Sequence, residues 1–215
     1  LLGATIGGNL ECGGGTFQNA GGKALSGDRL KVTGSVFLND NFEADGEVRF
    51  LGATIGGNLE CGGGTFQNAG GDALSCDGVK VTGTVSLKDN FEAHGEVGFL
   101  GAIIGGNLEC GGGTFQNAGG DALSCDQLKV TGSVFLNNNF EADGEVRFLG
   151  ATIGGNLACR GGTFRNAGGS ALSCDGVEVT GDVFLDDNFQ AHGEVRFLGA
   201  TIGGDLACRG GAFQN

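Results

Sequence analysis

The sequence predicts an all-β fold, a single-stranded parallel β-helix (solenoid) of about nine coils of 23–26 residues built on a 49-residue double-coil repeat. Three observations lead there. Val48 and Phe50, and then Ala53, Ile55, Gly57, Leu59 and Cys61, fall at every second position, the spacing of a strand with one face inward. The stretch Gly46–Cys61 returns almost letter for letter at 95–110, 144–159 and 193–208. Glycine makes up 48 of the 215 residues and proline is absent, which suits many tight corners joined by an unbroken hydrogen-bonded ladder.

The units are 2–50, 51–99, 100–148 and 149–197, with a partial unit at 198–215, so 1–215 reads as one continuous solenoid. Each unit divides again. Ala73–Leu87 overlays Glu47–Cys61, with Leu74 on Val48, Val81 on Ile55, Gly83 on Gly57 and Leu87 on Cys61. This overlay defines columns of stacked residues.

Along a coil, the first strand carries the column Ile6, Val32, Ile55, Val81, Ile104 and onward. A glycine follows at Gly8, Gly34, Gly57 and Gly83, where a corner needs either positive φ or close backbone approach. The second strand carries Leu10, Val36, Leu59 and Val85. The third segment brings an all-aromatic column: Phe17, Phe42, Phe66, Phe91, Phe115, Phe140, Phe164, Phe189 and Phe213. Asparagines beside it (Asn19, Asn41, Asn68, Asn90) suit turn positions with local side-chain hydrogen bonds. Parallel crossovers are right-handed, so a right-handed coil is expected. At the ~4.8 Å strand spacing, nine coils make a rod about 40 Å long. Helical repeats would need a 3.6-residue period, and propeller blades would not reproduce the half-unit match.

The formal net charge of −13 disfavours direct binding to nucleic-acid phosphates and favours solubility of a stacked, apolar-cored object. No apolar run approaches the ~20 residues of a membrane-spanning helix, and no signal peptide is visible.

The texture Gly57-x-Leu59-x-Cys61 with Gly52-Ala53-x-Ile55 resembles that of bacterial right-handed parallel β-solenoid repeat proteins, near the pentapeptide-repeat and bactofilin-like solenoids. The resemblance extends over essentially the whole chain. It implies a parallel β-helix and a scaffold, filament or binding-surface role.

The candidate chemistry is sparse. The eight cysteines (Cys12, Cys61, Cys76, Cys110, Cys125, Cys159, Cys174 and Cys208) form no C-x-x-C pair. Successive cysteines in a column are separated by a Leu or Phe coil, beyond the ~7 Å a disulfide tolerates. They read as buried free thiols packed as small apolar residues. Position 27, where the second cysteine column would begin, is glycine. His94 and His192 lie four coils apart and read as exposed turn residues. The oxygen-rich run Asn39–Glu47 lacks the spacing of known calcium loops. Thr54 lies beside Lys31 and Lys80, so the threonine rows are interrupted and form no flat array. No nucleophile and base share a defensible spacing. The expectation is a non-enzyme with no catalytic residues, cofactor or metal. Phe37, Phe135 and Phe184 fall between inward residues and should point outward, as a row for lateral contact or as local shielding of the sheet.

The expected role is structural: a rigid rod, filament or fibre growing by end-to-end coil stacking, with lateral bundling, on a cell surface. The alternative is an acidic binding module, a nucleic-acid mimic or an ion- or surface-binding solenoid.

Overall fold

The computed structural model describes residues 1–214, and they form the three-sided solenoid that the repeat demands. Three parallel sheets of nine strands each run the length of the molecule. The first is made of two-residue strands such as Thr54–Ile55 and Lys80–Val81, and the second of two-residue strands such as Leu59–Glu60 and Val85–Ser86. The third alternates eleven-residue strands, Thr65–Ser75 for one, with seven-residue strands such as Glu43–Arg49, and ends on the three residues Ala212–Gln214. Thr5 pairs with Lys31 and Lys31 with Thr54, steps of 26 and 23 residues. The two half-units are therefore alternate coils.

Turns confine the short strands. At Phe50–Ala53 the Ala53 N–H donates to the Phe50 carbonyl at 3.1 Å, with Gly52 at φ +60°, the left-handed third position of a type II turn. The next corner is made by close approach and not by positive φ. The Gly57 N–H donates to Gly34 O at 2.8 Å, and Gly83 N–H to Gly57 O at 2.9 Å. A Cβ on Gly57 would collide with Ser35 Oγ and lie 3.0 Å from the Gly34 carbonyl carbon.

The corner entering the third sheet has two alternating forms. The seven-residue strands follow Asn39–Phe42, in which Asp40 and Asn41 both have positive φ (54° and 64°) and Phe42 N–H donates to Asn39 O at 3.1 Å. Two successive left-handed residues define a type I′ turn, which Asn and Asp tolerate. The eleven-residue strands follow a glycine corner instead, Gly-Gly-Gly before the first three and Arg160-Gly161-Gly162 before the fourth, with Gly63 at φ +68°.

The coil axis is occupied by stacked apolar side chains. The nine column phenylalanines lie with adjacent ring centroids 5.1–5.4 Å apart and planes tilted by 35–42°, an offset packing that aromatic rings favour. Fully buried Phe contributes roughly 1.5–3 kcal/mol each relative to exposure. All eight cysteines are free; six are buried, Cys12 is half-buried and Cys208 is exposed. Burial pushes the buried thiols well above their ordinary range, so they remain neutral filler. At position 27 the Phe50 ring takes the room a cysteine would need: a Cβ there would lie 2.6 Å from its ring carbons.

Candidate interaction surfaces

The outward row of the second sheet reads Glu11, Phe37, Glu60, Ser86, Glu109, Phe135, Ala158, Phe184 and Ala207. Phe37, Phe135 and Phe184 do face outward, but each is half-buried. They form no continuous stripe, because glutamates, Ser86 or alanines intervene. The Arg160 guanidinium stacks 3.6 Å over the Phe184 ring while its Nε donates to Asp186 Oδ1 at 2.9 Å. Phe135 lines a shallow hollow with Lys88, Glu109 and Asn137, in which Lys88 Nζ lies 3.0 Å from Glu109 Oε2.

His94 and His192 are not turn residues. They sit half-buried on the strands Glu92–Gly98 and Gln190–Arg196. Parallel pairing seats His94 between Gln67 and Gln116, because the four-residue excess of the eleven-residue strands is accommodated further along. That excess was not foreseen. Gln67 and Leu74 pair with Asp45 and Val48, so Asn68-Ala69-Gly70-Gly71 is extruded as a bulge, closed by Asn68 Nδ2 donating to Asp72 O at 2.8 Å. The facing Gly95 has φ +134°, and a Cβ there would lie 2.7 Å from Asn68 O. Every second coil thus carries a protruding Asn-Ala-Gly-Gly ridge, with hollows between ridges floored by residues such as Asp72 and Glu96.

A second feature unread in the sequence is the row before the second strand. Asn9, Asn58, Asn107 and Asn156 accept the backbone N–H of residues 35, 84, 133 and 182 at 2.8–3.0 Å. Ser35, Thr84, Ser133 and Asp182 in turn accept the N–H of residues 58, 107, 156 and 205 at 2.8–3.3 Å. The signal was available: every residue of this row has a short side chain with an acceptor oxygen.

Each sheet ends on the strands of the first and ninth coils, Leu10–Glu11 and Leu206–Ala207 in the second sheet, each paired on one side only. Phe213 stacks on Phe189 at 5.3 Å and is 47% exposed. Among the described residues no group of three His, Cys, Asp or Glu side chains is placed to hold a metal ion, and no helix is long and apolar enough to cross a membrane. Comparison with protein-family models, curated proteins and solved structures gives no match.

Proposed function

We propose that this chain is a structural repeat protein, without enzymatic activity, whose coils form a rigid rod that extends into a filament or fibre by end-to-end stacking. The observation that carries this reading is the uniformity of the aromatic column. Eight successive Phe–Phe steps keep nearly the same separation and tilt. A stack with a constant step accepts a further coil at the same geometry, and edge strands with unpaired backbone groups are templates for one. Phe37, Phe135 and Phe184 are the residues suited to lateral bundling of such rods.

Negative-stain micrographs and light scattering across a concentration series test it. Rods in multiples of about 40 Å that lengthen with concentration are expected. A monomeric rod at every concentration overturns it.

A second reading, an acidic binding module, is favoured by the net charge of −13 and by the outward Glu43, Asp45, Glu92, Glu141 and Asp143 of the third sheet. Salt-sensitive binding to a basic protein would support it.

A further inference from the structure

One outward row at the end of the third sheet reads Ser26, Arg49, Ser75, Gly98, Ser124, Arg147, Ser173 and Arg196. Every seven-residue strand but one therefore ends on arginine, and each arginine clamps an aspartate in the neighbouring turn. Arg49 reaches Asp28 at 2.7 Å, Arg147 reaches Asp126 at 2.6 Å and Arg196 reaches Asp175 at 2.6 Å. Arg147 also holds Asp121 at 3.0 Å. In the second unit Gly98 takes the arginine's place. Asp77, the counterpart of those three aspartates, accepts the Leu100 N–H at 2.9 Å and, among the described residues, meets no guanidinium.

Gly98 is nonetheless buried, because carboxylates lean over it. A Cβ on Gly98 would lie 3.0 Å from Asp77 Oδ1 and 3.9 Å from Glu96 Oε1. Glu96 is in register with Asp72 of the preceding strand, and Asp121 lies on the following one. Its own strand adds Glu92 and His94. Arg147, two coils on, is the cation that acts on Glu96, and it is already engaged by Asp121 and Asp126.

We propose that Glu96, crowded by Asp72 and Asp77 around Gly98, forms a proton-linked joint in the rod, which keeps its proton in the folded coil and loosens the coil-to-coil packing when that proton leaves. The inference is independent of how rods assemble. Burial, and then the charges of Asp72, Asp121 and Asp77, push Glu96 from 4.5 up to about 7 against the pull of Arg147. Burial also raises Asp77. Asp28 and Asp175, two of its clamped counterparts, go the other way. Burial opposes the charge of Asp28, but Arg49 and the Leu51 N–H outweigh it, and the Leu198 N–H with Arg196 lowers Asp175. A carboxyl with a folded-state pKa above its unfolded value binds its proton more tightly when folded. The stability that Glu96 contributes is therefore complete below about pH 4.5 and is lost as pH rises through about 7.

The test follows the Glu96 side-chain carboxyl by NMR titration and compares melting at about pH 5.5 and 8.5 in the native chain, Glu96→Gln and Gly98→Arg. Expected are a native Glu96 midpoint near 7, a midpoint below about 5 once Gly98→Arg supplies the clamp, and a lead of Glu96→Gln over the native chain that grows by roughly 2–4 °C at the higher pH. A native midpoint near 4.5, or a lead that is the same at both pH values, overturns the proposal. If Gly98→Arg fails to fold, the native titration and the Glu96→Gln comparison decide the matter alone.

Discussion

Asn58 Oδ1 accepts a hydrogen bond from the Thr84 N–H at 3.0 Å, across 26 residues of chain. The same geometry recurs coil after coil, so a single row of side chains supplies the acceptors that this corner's backbone cannot.

Removing one acceptor exposes its value. Asn58→Ala leaves a part-buried N–H unpaired and should cost about 1–3 kcal/mol in urea denaturation. Asn9→Ala should cost less, because the Ser35 N–H points to the exposed first coil and can turn to water. Equal losses would show that the ladder is not a source of cohesion.

The corner glycines make a sharper contrast. Gly8 and Gly57 share a repeat position, but a Cβ on Gly8 meets nothing within 4 Å while one on Gly57 drives into Ser35 and the Gly34 backbone. Gly57→Ala should destabilise by about 1–3 kcal/mol and Gly8→Ala by little, as read from denaturation midpoints.

Column phenylalanines should follow their burial. Phe115→Ala opens a cavity under two ring contacts and should cost about 3–5 kcal/mol, whereas Phe213→Ala, at a half-exposed ring, should cost well under half of that. Differential scanning calorimetry would rank them.

Two turns carry avoidable strain. Arg29 and Gln127 sit at φ 55° and 56°, where Gly78 and Gly176 stand in the other coils. A left-handed non-glycine residue costs about 1–2 kcal/mol. Glycine's greater freedom in the unfolded chain returns part of that. Arg29→Gly and Gln127→Gly should each raise the melting temperature slightly, and a fall in both would refute the strain.

Thiol labelling should divide the cysteines. In the folded chain a maleimide should label Cys208 first and Cys12 more slowly. The other six should react only on unfolding, since burial both hides them and keeps them protonated. Rapid modification of Cys76 or Cys110 would contradict the packing.

Much of this architecture is legible in the sequence. Phe17, Phe42 and Phe66 stack because alternation at period two decides which side chains face inward, and their spacing of 25 and then 24 residues, about one coil each, decides which of them meet. Other features were legible only in part. The glycine corner left positive φ and close approach both open, and the histidines at 94 and 192 looked like turn residues because each precedes a glycine, which the structure uses inside a strand to face the bulge of the neighbouring coil.

Burial order, coil count and column membership thus belong to the sequence, because they follow from periodicity along a single chain. Three features belong to the tertiary structure: the extruded ridge at 68–71, the Asn and Ser ladder, and the unclamped carboxylates around Gly98. Each depends on distances between atoms 21 to 28 residues apart, and only the closed coil sets those.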